Sequence, residues 1–136
     1  MFEILEHTAD IGFRAHGRTA AELFEASALA MVAIALETET ISPRTEYPLA
    51  ASGADYESLL VNWLNEVLYS MDGERVAFHH FRVDEIAPDR VRGAGAGEPR
   101  EAGRHPARLI VKGVTYHQLR VVQIPGDWCA EVYLDI

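Results

Sequence analysis

Two aspartates at opposite ends of the chain have the type and position best suited to metal chemistry. Asp10 stands between the polar stretch Glu6-His7-Thr8 and the strand-like Ile11, where an Asx-turn or a cap is the ordinary interpretation. Asp135 ends a well-patterned strand beside the terminal carboxylate of Ile136, so a sheet would hold both groups in place. Fixed carboxylates with a third one nearby form the oxygen-rich pocket that calcium or magnesium prefers. The sequence alone leaves open whether Asp10 and Asp135 are neighbours.

A lysine within an apolar strand is a second candidate for a functional side chain. Lys112 has apolar neighbours on both faces of the predicted strand, namely Leu109, Ile110, Val111 and Val114. A central strand rarely carries a lone lysine. Two interpretations stay open: the side chain reaches a sheet edge with its charge in water, or it contacts a carboxylate or a partner.

Other familiar chemistries lack the residue patterns that they require. A phosphate cradle needs a helix directly after its glycines, and none is predicted after the glycine run 93–97. His79 and His80 are adjacent in a predicted strand, so we expect them to point to opposite faces. No His-Glu-x-x-His or Cys-x-x-Cys pattern is present. The sequence therefore disfavours a zinc site and a nucleophilic role for Cys129.

Composition narrows the partners that the chain could bind. The 136 residues carry 12 Lys and Arg against 21 Asp and Glu, which gives a formal charge of −9. Proteins that bind nucleic acid across their surface cluster basic residues, whereas the arginines between residues 90 and 108 alternate with acidic residues. We therefore expect a basic protein or a cation as the partner, and no direct binding to nucleic acid.

Cysteine content and hydropathy predict a cytoplasmic protein. The single cysteine, Cys129, cannot form an internal disulfide, and no charged-then-apolar leader follows Met1. The longest apolar stretch, 29–36, is much shorter than the about 20 residues that cross a bilayer, so no membrane insertion is expected. One domain covering residues 1–136 is long enough to bury a core without disulfides.

Hydrophobic periodicity predicts two helices that would position these residues. The first begins at Thr19, whose spacing to Glu22 is that of a capping box, and continues through about Leu36. The second begins after Asp55 and ends near Gly73, where glycine suits a left-handed cap.

The remainder of the chain is predicted to form strands. They cover 2–5, 11–16, 76–86, 90–94, 109–122 and 128–136, with an extended segment over 44–51. This order indicates an α+β domain in which two helices pack on a mostly antiparallel β-sheet. We expect the glycine-rich stretch 93–99 to be a flexible hairpin tip or disordered, and the arginines between residues 90 and 108 to lie in a solvated Gly/Pro-rich loop.

Four stretches in the right order resemble the archease family from end to end. They are Glu6-His7-Thr8-Ala9-Asp10-Ile11, Leu59-Leu60-Val61-Asn62-Trp63-Leu64-Asn65-Glu66, Val111-Lys112-Gly113-Val114-Thr115-Tyr116-His117 and Asp135-Ile136. The chain departs from the family in having Gly113 where archeases commonly have alanine, which loosens the strand after Lys112. The stretch 93–106 is also individual to this chain.

The resemblance implies an accessory protein that is not itself an enzyme. Archeases assist the GTP-dependent RNA ligase that joins 3′-phosphate or 2′,3′-cyclic phosphate ends to 5′-hydroxyl ends in tRNA splicing and RNA repair. They promote guanylylation of the ligase and repeated turnover. By this resemblance Asp10, Asp135 and the main-chain oxygen of Ile136 would bind a divalent cation, calcium in the usual description. Lys112 matches a family position associated with ligase activation.

Two other classes of function compete with this interpretation. A carboxylate cluster could make the chain a small metal-dependent hydrolase, although no general base with a matching acid and no positioned nucleophile is evident. A general chaperone or an RNA-binding module is the second alternative, and the acidic charge opposes RNA binding.

Overall fold

The computed structural model describes residues 1–6 and 10–136, which contain two helices and two antiparallel sheets. The helices are α1 (Ala20–Ala35) and α2 (Tyr56–Asp72). The strands are β1 (Phe2–Glu6), β2 (Asp10–Gly17), β3 (Thr45–Ser52), β4 (Val76–Ala87), β5 (Arg90–Pro99), β6 (Gly113–Ile124) and β7 (Asp127–Asp135). One sheet has the order β1-β2-β7-β6 and the other β3-β5-β4. The predicted α+β class, with two helices on antiparallel sheets, is confirmed.

Both helices begin at the predicted caps. The Thr19 hydroxyl accepts a hydrogen bond from the Glu22 amide at 3.1 Å, and Asp55 forms a capping box with Ser58. Gly73 ends α2 in a right-handed conformation with φ −81°, so the predicted left-handed cap is wrong. Within the described ranges, neither helix is both long and apolar enough to span a bilayer.

The core lies between the helices and the inner faces of the two sheets. Trp63 of α2 is fully buried, and its indole N–H donates to the Phe24 carbonyl of α1 at 3.1 Å. Phe13 and Val132 are register partners on β2 and β7, and both are fully buried. Burying an aliphatic or aromatic side chain of this kind contributes about 1.5–3 kcal/mol. The alternation on β2 and β7 therefore fixes which side chains of these strands face outward.

The glycine run 93–97 is part of a strand, which contradicts the flexible loop predicted from composition. It lies in β5, the central strand of the three-stranded sheet. A Cβ at Gly93 would lie 2.0 Å from the Arg82 carbonyl oxygen, and one at Gly97 would lie 2.0 Å from the Ala77 carbonyl oxygen. The glycines permit the β4 backbone to approach closely at two irregularities in its register.

The segment after β5 is a loop that a buried carboxylate holds in place. Glu98 is only 1% exposed and accepts hydrogen bonds from the Ser42 amide at 2.8 Å and from Arg104 at 2.9 Å. The His105 ring, itself fully buried, lies 3.0 Å from the same carboxylate through Nε2. The Glu101 amide donates to His105 Nδ1, which leaves the ring proton on Nε2 to bond Glu98. These contacts, the Ser42 amide foremost, lower the pKa of Glu98 to about 2.

Strand β6 begins four residues later than predicted. The stretch 109–112 crosses from the end of α1, where the Arg108 amide donates to the Ala35 carbonyl, to the end of β7. It forms no ladder of its own, and Ile110 is 73% exposed. Strand pairing resumes at Gly113 and is interrupted between Thr115 and Arg120.

Candidate functional site

The structure brings Asp10 and Asp135 together. They are register partners at the ends of β2 and β7, so their side chains leave the same face of the sheet. Directly opposed residues of antiparallel strands have Cβ atoms about 4.5–5.5 Å apart. Their neighbours Ile11 and Leu134, also register partners, are buried in the core. Asp10 and Asp135 therefore point to the face away from the helices.

The segment that leads into β6 brings Lys112 to the same corner. The Lys112 amide donates to the Asp135 carbonyl at 2.7 Å, and the next residue, Gly113, is the register partner of Asp135. Lys112 is exposed. Lys112 lies one residue before β6 and thus outside the strand predicted for it, and its exposed side chain keeps its charge in water, as the first of the two sequence interpretations has it. We call the group Asp10, Lys112, Asp135 and Ile136 the acidic corner.

The carboxylates of the acidic corner have no cationic partner in the described part of the chain. There, Asp10, Asp135 and Lys112 make no side-chain hydrogen bond or ion pair. Like charges directly opposite each other on adjacent strands destabilise a sheet. A cation held between Asp10 and Asp135 would turn this repulsion into attraction.

The donor set fits a hard divalent cation. Two carboxylates and the main-chain oxygen of the adjoining Ile136 offer oxygen ligands of the kind that calcium and magnesium take. No group of three or more His, Cys, Asp or Glu side chains that could hold a metal is found in residues 1–6 and 10–136. A cation here would therefore depend on two carboxylates, main-chain oxygen and water. His7 and Thr8, next to Asp10 in the predicted polar cluster, lie outside the described residues.

An aromatic ring next to the acidic corner was missed by sequence reasoning. Gly12 and Tyr133 are register partners, one pair further along the same face than Asp10 and Asp135. A Cβ at Gly12 would lie 2.6 Å from the Tyr133 ring, and Tyr133 is only 3% exposed. The ring thus covers the Gly12 backbone and forms a wall beside the carboxylates. The signal in the sequence was a glycine inside a strand, which often marks close approach.

Exposed apolar side chains occur on the strands and segments that adjoin the acidic corner. Ile110 precedes Lys112 by two residues and Ile136 follows Asp135, and they are 73% and 40% exposed. Ile4, 44% exposed, and Leu109, 38% exposed, line one shallow cavity with Arg108. Clustered exposed apolar residues near polar groups are typical of protein docking surfaces. We call the residues Ile4, Leu109, Ile110 and Ile136 the apolar rim.

The other candidate side chains lie elsewhere. Cys129 Sγ is 4.0 Å from His16 Nε2, and His16 Nδ1 is 3.6 Å from Asp127. Burial, followed by the charge of Asp127, raises the pKa of the Cys129 thiol. The thiol therefore stays protonated, which disfavours a nucleophile in spite of the nearby histidine.

The two histidines of β4 contradict the prediction that they point to opposite faces. Their Nδ1 atoms are 3.0 Å apart. The register of β4 on β5 shifts between Phe78 and His80, so His79 is an extra residue at a bulge. Strict alternation fails at a bulge, which is why the two rings meet.

Comparison with known proteins places the chain in a family. Residues 2–136 match the model of the Archease protein family (MTH1598/TM1083). The protein archease of Methanosarcina mazei is 41% identical over 139 residues, covering 99% of this chain and 95% of that protein. The protein archease of Pyrococcus furiosus is 37% identical, with 99% and 98% covered.

Solved structures agree with the fold. The solution structure of protein 1598 of Methanobacterium thermoautotrophicum has a TM-score of 0.82 and 31% identity, covering 99% of this chain and 98% of that one. The crystal structure of an archease and possible chaperone from Thermotoga maritima shares the fold, with a TM-score of 0.60 and 21% identity over 97% of this chain and 94% of that one. The match over residues 2–136 and the identity to these relatives show that the chain belongs to the archease family.

Proposed function

We propose that this archease is a non-catalytic activator of the GTP-dependent RNA ligase that joins 3′-phosphate or 2′,3′-cyclic phosphate ends to 5′-hydroxyl ends. In this role it promotes guanylylation of the ligase and repeated turnover in tRNA splicing and RNA repair. The observation that carries the proposal is the pairing of Asp10 with Asp135 in a chain of this family. The ligase performs the bond-forming chemistry, and the archease acts through the acidic corner.

Charge and surface composition support a protein partner. A ligase active site that binds RNA ends, GTP and metal must present basic groups, and a chain of charge −9 is steered toward such a mouth. The apolar rim offers area that can be buried on docking, while the carboxylates supply complementary charge. The same acidity opposes direct binding to nucleic acid.

Asp10, Asp135 and the main-chain oxygen of Ile136 are the proposed ligands of a divalent cation, with calcium as the first candidate. Such an ion supplies positive charge that can neutralise phosphate oxygens during nucleotidyl transfer. The carboxylates fix its position relative to the docking surface because the β2–β7 ladder holds them rigidly. A purely structural version is equally consistent: the cation then pins the end of β7 to Asp10, the residue before Ile11, and so shapes the docking surface.

Lys112 is the proposed contact with the ligase. Its main chain is fixed by the bond to Asp135, while its side chain is exposed beside the apolar rim. An ammonium in this position can reach a carboxylate or phosphate of the partner without disturbing the fold.

Multiple-turnover RNA ligation by the cognate ligase, with and without this protein, tests the proposal. We expect the ligase alone to stop after its guanylylated fraction is used, and added archease to restore repeated turnover. Equal turnover by the ligase alone would contradict the assignment. Incubation of the archease alone with phosphodiester and phosphomonoester substrates and divalent metals tests the hydrolase alternative, for which we expect no product.

A general chaperone is the second candidate, favoured by the description of the Thermotoga maritima relative as a possible chaperone. A general chaperone would suppress aggregation of unrelated proteins, whereas an activator specific for a ligase would not. Light scattering of a heated, unrelated protein with and without this chain separates the two.

A further inference from the structure

A β-bulge in β4 creates a second site of different chemistry from the acidic corner. Phe78 pairs with Gly97 and His80 pairs with Ala96, so His79 has no partner of its own on β5. The extra residue brings two consecutive side chains to one side of an edge strand. The rings of His79 and His80 are nearly perpendicular, with centroids 5.2 Å apart.

The two rings meet through nitrogen atoms that suit metal ligation. The Nδ1 atoms are 3.0 Å apart, so one ring donates its Nδ1 proton to the Nδ1 lone pair of the other. In the described part of the chain neither ring makes another hydrogen bond or an ion pair. His80 is exposed and His79 half-buried, so both remain accessible to a small ion. No structural partner therefore accounts for the pair.

We propose that His79 and His80 form a bidentate Nδ1 site for a borderline transition-metal ion, with Cu²⁺ bound most tightly. Metal–imidazole bonds of about 2.0–2.1 Å at a right angle place the two nitrogens about 2.9 Å apart. The observed separation of 3.0 Å matches two adjacent positions of a tetragonal ion. Nitrogen ligands favour copper and nickel, whereas calcium and magnesium require oxygen.

Binding requires a change of tautomer in one ring and a rotation of both rings that turns their Nδ1 lone pairs toward the ion. Each Nδ1 lone pair forms a bond to the ion, and the proton between the rings moves to Nε2 of the ring that carried it. Both imidazoles are neutral before and after, so no proton is released and no electron is transferred. Water fills the remaining positions, because residues 1–6 and 10–136 hold no metal-binding group of three or more His, Cys, Asp or Glu side chains.

Carboxylates of α1 lie in the surroundings of His80. His80 lines a cavity of about 260 Å³ together with His16, Glu22 and Glu25. One Glu25 oxygen accepts a hydrogen bond from the Val83 amide at 2.7 Å, which fixes that carboxylate beside β4. Carboxylates that line the same cavity raise the local concentration of a divalent ion without being ligands to it.

Titration of the purified chain with Cu²⁺ in the presence of excess Ca²⁺ tests the proposal. We expect one equivalent to bind, with nitrogen hyperfine splitting from two imidazoles in the electron paramagnetic resonance spectrum. His79→Gln and His80→Gln should each weaken binding by at least about tenfold, the scale of losses seen when metal-site surroundings change. His117→Gln, which alters another exposed histidine, should leave binding unchanged.

A second measurement uses the unaltered protein. In ¹⁵N spectra Zn²⁺ should shift the Nδ1 resonances of both rings and move the shared proton to Nε2. Cu²⁺ binding that survives in a variant carrying both His79→Gln and His80→Gln, or spectra showing only one coordinated imidazole, would overturn the proposal.

Discussion

Asp10 and Asp135 lie directly opposite each other on β2 and β7, although 125 residues separate them along the chain. The arrangement places two negative charges at one position of an antiparallel ladder, where like charges destabilise the sheet. A divalent cation bound between the two carboxylates would neutralise this repulsion, because the same geometry then provides two oxygen ligands.

Calcium should stabilise the protein through these carboxylates. At a free calcium concentration about 100 times the Kd, binding adds ~2.7 kcal/mol to the free energy of unfolding. Asp10→Asn should remove most of this gain, yet it should leave the calcium-free protein as stable as before or slightly more stable, because it ends the repulsion. Thermal unfolding with calcium and with chelator measures both effects. Asp127→Asn, at the opposite end of β7, is the matched control, and a Tm unaffected by calcium would argue against the site.

Lys112→Met should weaken ligase activation without affecting calcium binding. The substitution removes the ammonium but keeps the length of the side chain and the amide that bonds Asp135. We expect the archease concentration giving half-maximal activation to rise about tenfold, or ~1.4 kcal/mol. Ligation rates across a concentration series measure the change. The control Arg120→Met removes an exposed charge from β6, the strand that follows Lys112, and an equal effect of both variants would show that only net charge matters.

Glu98 should make stability depend on pH in the acid range. The pKa of Glu98 is lowered from 4.5 to about 2 in the folded protein, so its carboxylate stabilises the fold at pH values above 4.5. This contribution is lost as pH falls from about 4.5 toward 2, because the unfolded chain takes up the proton first. Urea unfolding at several pH values should show a flatter acid dependence for Glu98→Gln than for the control Glu74→Gln. Parallel curves for the two variants would contradict the role given to Glu98.

Gly97→Ala should destabilise the protein, because its Cβ would lie 2.0 Å from a backbone carbonyl oxygen that cannot easily move. Overpacking of this kind costs about 1–3 kcal/mol and sometimes more. Gly103→Ala is the matched control, since nothing lies within 4 Å of a Cβ at that position. Urea denaturation compares the two, and equal stability would show that β4 can yield at the bulge.

Most elements of this fold could be predicted from the sequence, because these elements depend on local periodicity and capping. The stripe of α2 and the caps at Thr19 and Asp55 are properties of neighbouring residues. The strand 93–99 was mistaken for a loop because glycine indicates flexibility in isolation, whereas here a partner strand requires it.

The candidate site could be predicted only in part, because the contacts that form it are not local in the sequence. Residue types and the family resemblance identified Asp10, Asp135, Ile136 and Lys112. Their meeting depends on the β2–β7 and β6–β7 registers, which no local pattern encodes. The contact between His79 and His80 depends on a bulge, and Tyr133 at Gly12 depends on register again.

Multiple-turnover RNA ligation by the cognate ligase with the Asp10→Asn variant tests the central claim most directly, provided that calcium binding is measured on the same sample. The account predicts that the variant loses calcium binding and leaves the ligase unable to turn over repeatedly, while Asp127→Asn supports full activity. Full activation by an Asp10→Asn protein that no longer binds calcium would contradict both roles proposed for the cation, the neutralisation of phosphate charge and the shaping of the docking surface.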